Sequence, residues 1–235
     1  MTALVIGASS GIGRATALAL AKHKARVALV ARRQSILDDL VTRCGPLASA
    51  YVCDITDDGK IKEFAAKVQA DFAQIDILVH SSGIIKLGKT EDASVADFDA
   101  QFAANVRGPY LLTQLLLPSL RSASGQIVLV NSSITRASNT DGRGAFAATQ
   151  HALRSIADTL RDEVNGAGVR VTTVYPGSTA TQRQIELYAI AGKGYDPDRM
   201  LRPEDVAEAV IFTLTIGRSA EITDLYLRPM LKPLS

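Results

Sequence analysis

The chain has few of the residues on which several protein classes depend. Its 235 residues include two cysteines, no tryptophan and only 5% aromatic residues. The two cysteines, Cys44 and Cys53, are too few for a disulfide framework or for a zinc site built from thiolates, and we predict no metal site. Because disulfides are rare in reducing compartments, this composition favours a cytoplasmic location.

Neither charge of one sign nor long hydrophobic runs are in excess. Lys and Arg number 26 and Asp and Glu number 24, which gives a net charge of +2 and argues against a surface that grips nucleic acid. No stretch approaches the ~20 apolar residues that span a bilayer. The first apolar run breaks at Gly7 and has no basic segment before it, unlike a signal peptide. We therefore expect a soluble protein without nucleic-acid or membrane partners.

What the chain does have is an alternation of short apolar runs and longer helical patterns. The runs are continuously apolar, as in strands of a parallel sheet that is covered on both faces. Helical patterns separate them, including long ones from about 95 to 120 and from 146 to 164. No linker or repeat interrupts the series, so it predicts one doubly wound α/β domain with a Rossmann fold over residues 1–235. The predicted strands are 3–6, 26–31, 49–53, 75–79, 126–130, 169–174 and 222–227.

A glycine-rich turn joins the first strand to the first helix. Glycines let a backbone turn tightly and approach a ligand, and the helix N-terminus presents free N–H groups to a pyrophosphate. The spacing Gly-x-x-x-Gly-x-Gly differs from the common dinucleotide fingerprint. The turn predicts a nucleotide site, and the alternative is a tight connection without a ligand. Its candidate binding residues are Gly7, Ser9, Ser10, Gly11, Ile12 and Gly13.

The second strand ends at Arg32 and Arg33. In dinucleotide-binding folds an acidic residue at this place binds the ribose 2′-hydroxyl, whereas an arginine accommodates a 2′-phosphate. The guanidinium fork matches phosphate oxygens well. We predict NADP(H) as the cofactor, with Arg32 the stronger candidate. The alternative is that both arginines are solvated residues at the start of a helix.

Further short motifs follow in order along the chain. They are Asp54-Ile55 after the third strand, Ser82-Gly83 after the fourth, Asn105-Val106-Arg107-Gly108, Asn131-Ser132-Ser133, and Pro176-Gly177 through Thr179 to Thr181. Together with the glycine-rich turn, they resemble the motifs of the short-chain dehydrogenase/reductase family over nearly the whole chain. The resemblance implies that Asp54 contacts the adenine, that the segment from Pro176 to Thr181 holds the nicotinamide end, and that a lid over a small-molecule substrate lies at about 182–200.

The resemblance also implies catalytic roles for Asn105 and Ser133, but it fails at two positions. Phe146 stands thirteen residues after Ser133, where the family has its catalytic Tyr, and Gln150 stands where the family has Lys. Phe146 has no proton to exchange, and Gln150 can hydrogen-bond a ribose but has no charge that would shift a pKa. Once the Tyr is absent, Asn105 and Ser133 can also be interpreted as structural hydrogen-bonding residues.

Four other residues are candidates for a replacement acid. His80 ends the fourth strand near the expected cofactor and is either catalytic or structural. His151 follows Gln150 and points about 100° away on the same helix, which favours a role elsewhere. Tyr188 and Tyr195 lie in the lid, and either could reach the substrate.

Three hypotheses follow for the function. The first is an NADP(H)-dependent oxidoreductase with altered proton chemistry, acting on a substrate such as an imine that needs no acid. The second is a nucleotide-binding pseudoenzyme or assembly subunit without turnover, and the third is an active enzyme inactivated by deliberate substitution. The resemblance further implies a homodimer or homotetramer that pairs through the helices at 95–120 and 146–164.

Overall fold

The computed structural model describes residues 1–137 and 140–231, and within them it contains a seven-stranded parallel sheet. The strand order is β3-β2-β1-β4-β5-β6-β7, so the connections reverse direction between β1 and β4. This confirms the predicted single-domain, doubly wound α/β fold, although six residues of the predicted range 1–235 lie outside the described ones. The strands are β1 (Thr2–Ile6), β2 (Arg26–Ala31), β3 (Ala48–Val52), β4 (Ile77–His80), β5 (Gln126–Val130), β6 (Arg170–Pro176) and β7 (Asp224–Leu227).

Helices cover both faces of the sheet, which is why most residues of its inner strands are apolar and buried. On β1, Leu4 and Ile6 pack into one core with helices that follow β3, β4 and β5, while Ala3 and Val5 pack into the other with helices that follow β1, β2 and β6. Among the described residues, no helix is both long and apolar enough to cross a bilayer. The helices are α1 (Gly11–Lys22), α2 (Gln34–Cys44), α3 (Asp58–Asp71), α4 (Val95–Phe102), α5 (Gly108–Ser122), α6 (Gly144–Asn165), α7 (Gln182–Ile190) and α8 (Pro203–Thr215).

The long helix predicted over 95–120 is interrupted. A π-helical turn, Ala103–Arg107, separates α4 from α5 and contains Asn105. The Asn105 side chain accepts a hydrogen bond from the Ile84 N–H at 2.7 Å and donates to the Ile84 carbonyl at 2.8 Å. These bonds to the loop after β4 accompany the wider turn, and π turns of this kind are frequent at functional sites. A local signal for the interruption was also present, because Gly108 and Pro109 follow the π turn directly and proline has no N–H to donate to the preceding turn.

His80, at the end of β4, is a residue of the core. Its side chain is 2% exposed, its Nε2 hydrogen-bonds the Thr113 hydroxyl on α5 at 2.9 Å, and its buried Nδ1 has no partner in the structure. Burial lowers the pKa of His80 to about 3, so the imidazole is neutral at physiological pH. These contacts favour the structural interpretation of His80 over a catalytic one.

The start of α5 lies against the loop after β3. This contact predicts that a methyl group added at Gly108 lowers the stability of the fold. A Cβ at Gly108 would stand 2.1 Å from the backbone oxygen of Ile55, which cannot move aside as a side chain can. We expect Gly108→Ala to lower the free energy of unfolding by about 1–3 kcal/mol. Urea unfolding measures this, and Gly166→Ala is the matched control because nothing lies within 4 Å of its Cβ position. Equal stabilities of the two variants would contradict the contact.

Burial of His80 predicts that acid weakens the fold. The unfolded chain protonates this imidazole near its ordinary pKa of 6.5, whereas the folded chain does so only near 3, so stability falls as the pH drops below about 6.5. Between pH 7.5 and pH 5.0 we expect a loss of about 2 kcal/mol from this group. Urea unfolding of the wild type and of His80→Asn at both pH values tests this, and an equal loss in both proteins would refute it.

Candidate functional site

A cavity of about 1130 Å³ lies at the carboxyl ends of the strands, across the point where the strand order reverses. The loops after β1, β2 and β3 line one half, and those after β4, β5 and β6 line the other. In open α/β sheets this crevice is where ligands bind. Of the residues predicted for the site, those that line it are Gly7, Ser9, Ser10, Gly11, Ile12, Arg32, Arg33, Asp54, Ile55, Ser82, Gly83, Asn105, Ser133, Phe146, Gln150, Pro176, Gly177, Thr179 and Thr181.

The glycine-rich turn lies tightly against the loop after β4. Gly7 has a φ of +86°, and a Cβ there would stand 2.7 Å from the backbone nitrogen of Ser82. Ser10 precedes α1 in an extended conformation without a side-chain cap, which leaves the first N–H groups of the helix for a ligand. Gly13 does not line the cavity, because it packs on the turn itself, where a Cβ would stand 2.3 Å from the Gly7 oxygen.

The half of the cavity formed by β2 and β3 combines two exposed arginines with one carboxylate. Arg32 and Arg33 follow β2 directly, and Asp54 follows the neighbouring β3. Burial acts to raise the pKa of Asp54, but hydrogen bonds from Thr56 and the charges of Arg32 and Lys60 outweigh it and lower the pKa. The carboxylate is therefore ionised and fixed, with Oδ1 accepting from the Thr56 N–H at 3.0 Å and hydroxyl at 2.8 Å.

The other half contains a network of neutral side chains held by α6. Thr149 Oγ1 donates to the Phe146 carbonyl at 2.7 Å and accepts from Asn105 Nδ2 at 3.0 Å and from Gln150 Nε2 at 3.3 Å. Asn131 Nδ2 donates to the Gln150 carbonyl at 3.0 Å. Phe146 and Gln150 both line the cavity, as expected for residues four apart on a helix. None of the side chains in this network is an acid or base that could exchange a proton at neutral pH.

Ser133 stands at the entrance of a short 3₁₀ turn, Ser133–Arg136, directly after β5. The neighbouring Ser132 hydroxyl caps this turn by accepting from the Ile134 N–H at 3.2 Å. Both Ser132 and Ser133 line the cavity.

Three of the four candidate replacement acids, His80, His151 and Tyr195, lie outside the cavity lining. His151 is exposed on α6, and His80 contacts α5 in the core. Tyr188, on α7, lines the cavity and packs edge-on against Tyr195, with 5.9 Å between the ring centroids. Tyr188 is therefore the one of these four that the structure brings to the cavity wall.

The segment predicted to form a lid contributes one contact across the cavity. Thr181 caps α7 by accepting a hydrogen bond from the Gln184 N–H at 3.3 Å, and Arg183 donates to the backbone carbonyl of Gly83. Sequence reasoning missed Arg183. A signal was present, since a cation in the first turn of a helix interacts unfavourably with the helix dipole. An arginine at such a position therefore indicates a role other than stabilising the helix.

Comparison with known proteins agrees with the fold. The family profile described as short chain dehydrogenase matches residues 1–190. An uncharacterized oxidoreductase of Staphylococcus saprophyticus is 31% identical over 233 residues, which cover 97% of each chain. Two solved structures superpose closely on this chain.

The first of these structures is a serine dehydrogenase in its closed form, complexed with NADP+. Its TM-score is 0.88 at 26% identity, over 97% of this chain and 95% of that one. The second is an alcohol dehydrogenase from Thermococcus sibiricus complexed with 5-hydroxy-NADP, with a TM-score of 0.86 at 26% identity, over 100% and 98% of the two chains. Since the family profile matches well over half of its length, the chain belongs to the short chain dehydrogenase family.

Proposed function

We propose that this chain is an NADP(H)-dependent oxidoreductase that transfers hydride to a substrate needing no side-chain acid, such as an iminium ion. One observation carries the proposal: a single cavity joins a nucleotide-binding turn and Arg32 to a reaction half lined by Phe146 and Gln150. By resemblance these two residues stand in the positions of the family's catalytic Tyr and Lys. The nucleotide end is thereby retained while the acid is lost.

The residues present fit an NADP-type nucleotide. The uncapped start of α1 suits a pyrophosphate, and the exposed Arg32 suits a 2′-phosphate. The hydroxyl oxygen of Ser82 is buried at the cavity wall without a partner in the structure, as expected where a ligand completes the hydrogen bonding. The two solved neighbours carry NADP-type ligands, which supports the same class of cofactor here.

The chemistry of the reaction half favours a substrate that already carries positive charge. When bound, NADPH supplies a hydride. A ketone that accepts hydride becomes an alkoxide and needs a proton. When an iminium carbon accepts hydride, the electron pair of the C=N π bond moves to the nitrogen, and the product is a neutral amine. Phe146 provides an apolar wall, Ser133 a hydroxyl that can orient the substrate, and Gln150 an amide for the nucleotide ribose.

A second candidate function is nucleotide binding without turnover, as a pseudoenzyme or a subunit of an assembly. The observation in its favour is the network of Asn105, Thr149 and Gln150, whose hydrogen bonds are made without any ionisable group. A deliberately inactivated enzyme would have the same network. Reduction of any member of a panel of imines and carbonyls with NADPH would exclude the candidates that lack turnover.

We further propose that the protein acts as a homodimer or homotetramer in the cytoplasm, without nucleic-acid or membrane partners. The helices α4 and α5, which correspond to the family's pairing surface, expose Val95, Phe98 and Tyr110 to 74%, 43% and 53% of their full areas. The thiols of Cys44 and Cys53 are free, as suits a reducing compartment.

The position of Arg32 predicts a preference for NADPH over NADH. We expect Arg32→Ala to weaken NADPH binding about 10–100-fold while changing NADH binding little, because a charge-assisted contact to the 2′-phosphate is lost. A fluorescence titration of both nucleotides measures this, with Lys62→Ala, at an exposed position of α3 away from the cavity, as the matched control. Equal affinity of the wild type for the two nucleotides, or no binding, would contradict the prediction.

The residues at 146 and 150 predict slow ketone reduction that can be restored. We expect the double variant Phe146→Tyr, Gln150→Lys to reduce ketones at least ~100-fold faster than the wild type, since it regains a positioned proton donor. NADPH oxidation followed at 340 nm measures the rate. The single variant Gln150→Lys is the control and should remain slow, because it supplies a charge but no acid at 146. Normal ketone reduction by the wild type would refute the argument.

A further inference from the structure

Arg183 extends from the lid across the cavity to the loop after β4. It lies in the first turn of α7, and its guanidinium donates a hydrogen bond to the backbone carbonyl of Gly83. The two residues are 100 positions apart in the sequence. The contact therefore joins the segment after β6 to the segment after β4, across the carboxyl ends of the strands.

The surroundings of this contact place Arg183 beside the glycine-rich turn. The Thr181 methyl group lies 3.0 Å from the position that a Gly11 Cβ would occupy, so the start of the lid touches the start of α1. On the other side, Ser82, which precedes Gly83, lies against Gly7. The hydrogen bond from Arg183 to Gly83 therefore connects two segments that each touch the glycine-rich turn before α1.

Among the described residues, the charge of Arg183 is balanced only by the more distant, exposed Glu186 on the same helix, which acts on it electrostatically. No carboxylate forms an ion pair with it in the part of the chain that the structure describes, and its hydrogen bond goes to a neutral carbonyl. Its place in the first turn of α7 is also unfavourable, because the N-terminal end of a helix dipole repels a cation. A guanidinium in this unfavourable position, near the uncapped N-terminus of α1, is well placed to bind an anion.

We propose that Arg183 is a nucleotide-binding residue that exchanges the Gly83 carbonyl for the pyrophosphate of the bound nucleotide and so fastens the lid over it. The proposal rests on the nucleotide binding proposed above. The pyrophosphate is the anion that the N-terminus of α1 would hold, and Arg183 approaches the same place from the opposite side. Arg32 lies at the end of β2 and serves the 2′-phosphate instead, so the two arginines act on different phosphates.

Two ligands separate these roles. NADP+ contains both the 2′-phosphate and the complete pyrophosphate, whereas adenosine 2′,5′-bisphosphate contains the 2′-phosphate and a single 5′-phosphate. We expect Arg183→Met to weaken NADP+ binding about 10–100-fold in calorimetric titration, as for loss of a charge-assisted contact. Binding of the bisphosphate should stay near that of the wild type. Arg32→Ala should weaken both ligands.

Two further variants control for charge and folding. Lys62→Met removes one positive charge at an exposed position of α3 and should bind both ligands like the wild type. Arg183→Lys keeps the charge but loses the fork, and should lie between the wild type and Arg183→Met. If Arg183→Met binds NADP+ as the wild type does, or weakens both ligands equally, the proposal is wrong. If the wild type binds neither ligand, nucleotide binding itself is wrong.

Trypsin cleavage within the lid gives a readout of closure. Lys193 is exposed in the segment after α7 and offers a cleavage site. We expect saturating NADP+ to protect this bond in the wild type and not in Arg183→Met, while adenosine 2′,5′-bisphosphate protects neither. Protection of Arg183→Met at saturating NADP+ equal to that of the wild type would overturn the role of Arg183 in fastening the lid.

Discussion

The close approach of the first turn to the loop after β4 is the constraint on which the site depends. Gly7 has no side chain, so its backbone can lie against Ser82. A Cβ at this position would stand only 2.7 Å from the backbone nitrogen of Ser82. β1 and β4 are adjacent strands whose connections leave in opposite directions, and this contact lies at the crevice between them. The start of α1, the loop at Gly83 and the lid contact from Arg183 all adjoin it.

The second half of the cavity depends on one threonine. Thr149 is buried on α6 and connects the π turn at Asn105 to Gln150 and to the backbone at Phe146. This arrangement fixes the cavity wall without any ionisable side chain. The side chains of this network can orient a nucleotide and a substrate, but none of them is an acid or base that exchanges a proton at neutral pH.

Sequence reasoning predicted the architecture well and the site in part. Continuous apolar runs, glycine punctuation and helical periodicity gave the order and approximate bounds of the strands, because each of these signals is local. Almost all predicted site residues line one cavity, since they follow the carboxyl ends of parallel strands, which meet at one edge. Gly13 is the exception, because the reason for that glycine is packing against the turn rather than contact with the cavity.

Some properties were determined by the sequence alone, since they hold in any fold. A phenylalanine at 146 has no proton to donate, a glutamine at 150 has no charge, and a chain of alternating apolar strands and helices has to cover both faces of its sheet. Other properties were decided only by the tertiary structure. Asn105 bonds a loop 21 residues away, His80 bonds a helix residue 33 positions away, and Arg183 reaches a carbonyl 100 positions away. Their roles depend on contacts between distant segments, and no local pattern of residues records which segments will meet.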